Sequence, residues 1–193
     1  VVLSLMVLFG LKVNAQQIEV YGNGVISNPH IKHYDSESIF ASSFGLQLYP
    51  NSNKFIKYTV GFSFERKGDL FSNTGFDEII KLSYFNCRNM MVIGNENFDL
   101  QVGIYVGLLT SIDYQPNNTV TEIIIENDTN KMDMGICLNT NQRVITYKNY
   151  SIYLKGEVNY GLINTYGLLF DSQYYKRNFT YGLGLSIRWN YKD

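Results

Sequence analysis

FTYGLGLSIRW, Phe179–Trp189, is the stretch on which the fold turns. Phe179, Tyr181, Leu183, Leu185, Ile187 and Trp189 fall on one side of an extended chain. Thr180, Gly182, Gly184, Ser186 and Arg188 fall on the other. Successive side chains of a strand point to opposite faces, so strict alternation means a strand with one apolar face. The same period recurs upstream over Phe40–Tyr49, Ile56–Glu65, Leu100–Leu108, Met132–Asn141 and Ile152–Tyr160. Ile56, Tyr58, Val60, Phe62 and Phe64, for example, stand opposite Lys57, Thr59, Gly61, Ser63 and Glu65. Two runs alternate more weakly: Ile18–Ser27, and Glu78–Asn89, where Ile80, Leu82 and Tyr84 share a side. That makes eight strands of about 10 residues, and no helix-period stretch competes with them.

About 9–11 tilted residues cross the hydrocarbon of an outer membrane. A soluble lipocalin-like barrel alternates equally well with its faces reversed. The polar face chooses between them. It holds Gly45, Gly61, Gly103, Gly107, Gly135, Gly182 and Gly184; small residues suit a narrow concave interior, whereas a water-facing surface would carry more charge. The apolar face holds Tyr58, Phe62, Phe64, Phe179, Tyr181 and Trp189. The interior of eight strands is just wide enough for side chains to fill it and has no room for so many rings. The expectation is an all-β fold, an eight-stranded antiparallel up-and-down transmembrane β-barrel over residues 16–193.

Composition agrees. The 193 residues suit one domain, or at most two small ones. Sixteen Lys and Arg against 17 Asp and Glu leave a net charge of −1, which argues against nucleic acid as a partner. Charged residues are 17% of the chain, below the usual quarter, and aromatic residues are 15%. Two Cys cannot build a disulfide scaffold. Val1–Leu11 is apolar but too short to span a membrane as a helix. Val13 and Ala15 fit the small-residue positions of a cleavage site, so residues 1–15 read as a secretory signal peptide cut short at its front.

With both ends of the barrel in the periplasm, the inner links are Pro50–Phe55, Met90–Asp99 and Tyr147–Tyr150. The outer links are the longer Asn28–Glu37, Lys67–Asp77, Asp113–Lys131 and Gly161–Asn178. Long outside and short inside is the asymmetry of such barrels. Aromatic residues collect at both rims, where their amphipathic rings favour headgroup depth. The 113–131 link contains TVTEIIIE, Thr119–Glu126, a β-prone run that either extends the adjoining strands or offers an edge to a protein partner.

Several blocks resemble one family. Phe44-Gly45-Leu46-Gln47-Leu48 resembles an early "GF-x-x-G" strand, and Val60–Gly68, VGFSFERKG, an "ELLYSQKG" block ending in Lys-Gly at the outer rim. Ile80–Asn89 falls where that family has "YLEIPLL", and Val102–Thr110 is similar to "GPYIGYLLS". Asp133-Met134-Gly135 resembles "DFG", Val158–Leu162 resembles "YNYGL", and Gly182–Leu185 resembles the last strand. In order and spacing they resemble the outer-membrane β-barrel family of Bacteroidetes that includes the PorT-like proteins. The resemblance implies an eight-stranded barrel, a cell-envelope role associated with type IX protein secretion, and no catalytic residues to carry over.

The charges expected in the lumen are Lys57, Glu65, Lys81, Asp133, Lys155, Glu157 and Arg188. Ionised groups in so narrow a space must pair; they form either a plugging network or an ion path. His30, His33 and Asp35 share the first outer link, with Asp69 and Ser72 in the second. A His, a carboxylate and a Ser can serve acyl transfer, and two His with an Asp can hold a metal loosely; a polar surface loop accounts for them equally. Cys87 and Cys137 fall on strands separated by a third, about 9–10 Å apart, beyond the roughly 7 Å a disulfide spans. No pattern asks for a cofactor or a metal. The leading reading is a non-enzymatic outer-membrane barrel, in contact with outer-membrane lipid, with a structural or adaptor role. Its alternatives are a lipid-modifying enzyme using the outer links and a soluble periplasmic binding barrel.

Overall fold

The computed structural model describes residues 15–28, 30–31, 36–50, 55–73, 76–115, 131–163 and 176–191. Val1–Asn14, and with it most of the expected signal peptide, lies outside them, as does Thr119–Glu126. Eight long strands follow one another: β1 (Ala15–Ser27), β2 (Ile39–Pro50), β3 (Ile56–Asn73), β4 (Phe76–Gly94), β5 (Phe98–Gln115), β6 (Met132–Tyr147), β7 (Tyr150–Gly161) and β8 (Phe179–Asn190). Each pairs antiparallel with its sequence neighbours, and β1 pairs with β8 from Gln17↔Asn190 to Ser27↔Thr180. The sheet therefore closes into a barrel. Closure satisfies the backbone of every wall strand internally, which a chain crossing hydrocarbon requires. Among the described residues no helix is long and apolar enough to cross a membrane; this chain crosses with strands.

The alternating pattern becomes two surfaces. On β8, Thr180, Ser186 and Arg188 are buried in the lumen, while Tyr181, Leu183, Leu185 and Ile187 are exposed. On β7, Ser151, Tyr153, Lys155, Glu157 and Asn159 face inward against an exposed Leu154. Glycine on one wall makes room for a ring from another. A Cβ on Gly45 would fall 2.5 Å from the Tyr21 ring, and one on Gly135 would fall 2.6 Å from the Tyr105 ring. Apolar side chains on the outside of a closed barrel have only hydrocarbon to meet. Phe55, Tyr58, Tyr147, Tyr150 and Tyr191 mark the periplasmic rim, and Phe40, Tyr160 and Tyr181 the outer one.

Four strands are well beyond the length that the sequence pattern implies. β3, β4, β5 and β6 run 18, 19, 18 and 16 residues. The expected outer link Lys67–Asp77 is mostly strand: β3 and β4 stay in register from Ile56↔Ile93 to Asn73↔Phe76. The expected inner link Met90–Asp99 shrinks to a turn at 95–97, because the ladder holds through Gly94↔Asp99. The barrel thus has a tall wall on one side.

The faces of β4 also differ from expectation. Leu82 and Tyr84, expected outside, are 1% and 0% exposed. Leu82 is paired with the lumen residue Lys67, and directly paired residues share a face. Lys81 pairs with Gly68 and Asp113, one step out of phase, so it faces away from the lumen. Its expected lumen position is corrected on that register. A register irregularity between Ser83 and Tyr84, opposite Ser111 and Leu109, leaves one extra residue, Thr110, on β5.

Candidate functional site

The lumen is filled by two hydrogen-bonded clusters of ion pairs, with the Tyr21 ring between them, 4.2 Å from Lys155 Nζ and 6.0 Å from the Arg88 guanidinium carbon. At the periplasmic end, Arg188 Nη2 lies 2.7 Å from Glu19 Oε2 and 2.9 Å from Asp99 Oδ2. Lys155 Nζ reaches the other Glu19 oxygen at 2.8 Å. Tyr49 donates to Glu19 Oε2 at 2.7 Å, and Gln101 donates to Tyr49 and to Asp99. The Arg188 guanidinium lies 4.1 Å from the Tyr49 ring centroid and 4.3 Å from that of Tyr153. These rings add cation–π contacts to a guanidinium already paired with two carboxylates.

The middle layer centres on Arg88. Its Nη2 is 2.6 Å from Glu157 Oε1 and 3.5 Å from Glu65 Oε2. Asn23 donates to Glu157 at 2.6 Å, and Asn159 donates to both Glu157 and Glu65. Thr180 and Asn86 complete the Glu65 carboxylate, each at 2.9 Å. In the outer layer Lys67 Nζ is 2.7 Å from Asp133 Oδ2 and 3.5 Å from Glu65, while Tyr105 donates to Asp133 at 3.1 Å. Glu65 belongs to both layers, so the stack is continuous across the outer half of the barrel.

Of the residues expected in the lumen, the structure brings together Glu65, Asp133, Lys155, Glu157 and Arg188. Lys57 is half-buried and lines a water-sized space of about 10 Å³ at the periplasmic mouth, with Asp99, Glu96 and Arg188. Lys81 is on the other face. The network also uses Glu19, Lys67, Arg88 and Asp99. Parity would have found three of them: Glu19 alternates with Ile18 and Val20, Lys67 is the next inward residue after Glu65, and Asp99 is two before Gln101. Arg88 was hidden by the inverted faces of β4.

Four cations (Lys67, Arg88, Lys155, Arg188) face five carboxylates (Glu19, Glu65, Asp99, Asp133, Glu157) in these pairs. Every one of these nine residues is at most 5% exposed. Near-neutral pairing in so closed a space fits a plug better than an ion path. Removing one partner strands the rest in low dielectric, at a cost of about 3–5 kcal/mol.

His30 takes part in a short antiparallel bridge with Arg177. His33 and Asp35, and the side chains of His30, Asp69 and Ser72, lie outside what is described. Among the described residues no group of three or more His, Cys, Asp or Glu could hold a metal ion. Cys87 and Cys137 are free thiols.

No family model matches the chain, and no curated protein matches it. Solved structures do. OprG from Pseudomonas aeruginosa aligns with a TM-score of 0.53 at 10% identity, covering 91% of this chain and 97% of that one. Neisserial surface protein A aligns with a TM-score of 0.49 at 10% identity, covering 90% and 96%. Ail, the attachment invasion locus protein of Yersinia pestis, aligns at 0.44 and 14% identity, covering 90% and 98%. The likeness to OprG shows the fold, that of an outer-membrane β-barrel. Together with the exposed apolar belt and the polar, closed lumen, it places this chain in the outer membrane.

Proposed function

We propose that this barrel is a non-enzymatic adaptor that holds its tall outer wall in place for a protein partner in the cell envelope. The observation that carries the reading is the filling of the lumen by buried, paired charges. A lumen tied from β1 to β8 by Arg188–Glu19, from β4 to β7 by Arg88–Glu157 and from β3 to β6 by Lys67–Asp133 leaves no open path. It makes the barrel a stiff support rather than a conduit. What remains to act is outside: β5 extends to Gln115, while its ladder with β6 stops at Leu108↔Met132. Leu109 N–H still donates to the Lys131 carbonyl, so among the described residues 110–115 have no ladder partner on that side, and such an edge can accept an added strand.

The resemblance to PorT-like barrels supports a role linked to protein secretion. Two of the blocks that carry it meet in the structure: Lys67 of VGFSFERKG and Asp133 of DMG form the outer ion pair at 2.7 Å. The test has two arms. Liposome-swelling assays with small sugars should show no permeation through the wild-type barrel, and uptake there would overturn the plug. A photo-crosslinking residue at Ser111 or Asp113, expressed in the native host, should capture a discrete envelope protein. Replacing 119–126 with a short Gly/Ser link should lose that product while the barrel stays folded. An unchanged crosslink after replacement would remove this segment from the docking surface.

A further inference from the structure

A rung of directly paired residues climbs as it circles the barrel. From Ile56 at the periplasmic end of β3 it passes Leu100, Gly156 and Gly24 and reaches Ser42 on β2. Ser42 lies one residue past the Ser43↔Glu65 pair, so it falls opposite Arg66. One circuit thus returns to β3 ten residues higher, at Arg66 instead of Ile56. Ten residues rise about 25 Å along the axis of a barrel whose strands advance about 3.3 Å per residue and tilt by about 40°. That is the height of the apolar band of such a barrel. Arg66 therefore stands where the band ends, at outer headgroup depth.

Its direction is fixed by its neighbours. Glu65 and Lys67 are buried in the lumen, so the exposed Arg66 points to the bilayer, the first charge above the outward-facing Tyr58, Val60, Phe62 and Phe64. Lys81, half-buried, stands on the same face one strand over. It pairs with Gly68, while Arg66 pairs with Ser83. Diagonal neighbours of this kind lie about 7–8 Å apart, within reach of long side chains. The other two corners of that square, Ser83 and Gly68, are small, so the two cations can converge on one ligand. Among the described residues neither forms an ion pair, and Asp113 stands opposite Lys81 on β5 without closing one. The rings directly beneath belong to phenylalanines, with Phe44 stacked on Phe64 at 5.6 Å and Phe62 on Phe85 at 6.0 Å. Phe offers no hydroxyl or N–H to a headgroup, whereas the far wall presents Tyr160 and Tyr181 at the same rim. On this side the polar contact falls to Arg66 and Lys81.

We propose that Arg66 and Lys81 form a site for the phosphate of an anionic outer-leaflet lipid, whose acyl chains lie along the Phe64–Phe85 pair beneath. Depth selects the source, because a phosphate held at the end of the apolar band is one whose chains fill the band. A planar guanidinium beside an ammonium suits phosphate oxygens, the first as a fork and the second as a point charge. Basic residues at a membrane surface draw anionic lipid, and a zwitterionic headgroup carries a cation of its own that these two repel. Arg66 is the stronger arm, since Lys81 has the Asp113 carboxylate beside it. The site does not depend on a protein partner.

Native mass spectrometry of the folded barrel tests it. The protein is exchanged into a non-ionic detergent with equal amounts of dimyristoyl phosphatidylglycerol and dimyristoyl phosphatidylcholine. Phosphatidylglycerol should be retained in preference to phosphatidylcholine by about fivefold or more. Arg66→Gln with Lys81→Gln should bring the two lipids to near-equal retention, and Arg66→Gln alone should lose more of the preference than Lys81→Gln alone. Lys148→Gln removes a charge from the periplasmic turn, beside Tyr147, and should keep the preference. Glycerol 3-phosphate in hundredfold excess should not displace the lipid. Should the double variant fail to fold, judged by heat-modifiable gel migration, Arg66→Gln alone should still lower the preference by about twofold or more. Equal retention of the two lipids by the wild type would overturn the proposal. So would a preference that survives a folded Arg66→Gln variant, or one that Lys148→Gln lowers equally, which would make it a response to overall charge. Displacement by glycerol 3-phosphate would make the ligand a soluble anion and overturn the lipid assignment.

Discussion

β8 and β4 both line the lumen, yet they read as opposites. β8 sends Thr180, Ser186 and Arg188 inward and Leu183, Leu185 and Ile187 to lipid. β4 sends Leu82, Tyr84, Asn86, Arg88, Met90 and Val92 inward, and turns Lys81, Cys87 and Asn89 away. Nothing in lipid exposure explains the inward apolar residues of β4. The volume of the lumen does. The glycines of one wall leave space that large side chains of another must fill, whatever their polarity. Met90, Tyr105 and Cys137 accordingly form a small buried apolar cluster amid the ion pairs. The lumen is therefore selected by fit and pairing, and the outer face of β8 by hydropathy.

The largest effect should come from the charge that β4 contributes. Arg88→Met removes the cation between Glu157 and Glu65 and leaves two buried carboxylates facing each other. The expected loss is about 3–5 kcal/mol in urea unfolding from lipid vesicles. A loss below about 1 kcal/mol would mean that the stack is not what holds the lumen together. On β8 the corresponding break is on the outside. Leu185, 58% exposed, lies near the middle of its strand. Leu185→Arg should cost about 2–4 kcal/mol in the same assay, falling toward zero for the same change nearer the girdles.

A smaller effect separates the two faces of β8 itself. Gly184 points inward, where a Cβ would come 2.6 Å from Asn23 Cα and closer still to the Gly22 carbonyl oxygen. Gly184→Phe should cost roughly 1–3 kcal/mol or more by overpacking. Leu185→Phe, one residue on, should be tolerated, because lipid yields around added volume. If the order were reversed, the inward assignment of the glycines would fail.

How much could be read in advance follows from the same contrast. The strands whose inward residues are small or polar, β2, β6, β7 and β8, were legible in sequence, because there hydropathy and facing coincide. Even their role in the network showed through: Lys155, Glu157 and Arg188 alternate cleanly with Leu154, Val158 and Ile187. β4 was not legible, since Leu82 and Tyr84 obey a packing constraint set by Lys67 and Tyr105 on other strands. The tall wall was hidden for a related reason. Lys67-Gly68-Asp69 looks like a turn in isolation, and only the pairing of Gly68 with Lys81 and of Asp69 with Ile80 makes it strand. Sequence alternation reports the environment of one strand; register with its neighbours decides the rest.

The two cysteines put the finest edge on the comparison. Cys87 is on β4, paired with Phe62 and Val106, and half-buried on the lipid side. Cys137 is on β6, fully buried in the lumen against Met90 and Tyr105. The residue type is the same, and both are free thiols, so a common substitution isolates the environment. Cys87→Leu adds volume where the neighbours are acyl chains; its effect should lie within about 0.5 kcal/mol of zero. Cys137→Leu adds the same volume to a closed lumen and should cost roughly 1–3 kcal/mol. Unfolding of both variants in vesicles gives the difference directly. The thiols themselves supply a second readout: a lipid-soluble maleimide should modify Cys87 in the folded barrel and leave Cys137 untouched until denaturant opens it. Protection of Cys87 until denaturant is added would place β4 one residue out of register, with Lys81 in the lumen and Arg88 in lipid, a placement that the 2.6 Å contact from Arg88 to Glu157 opposes.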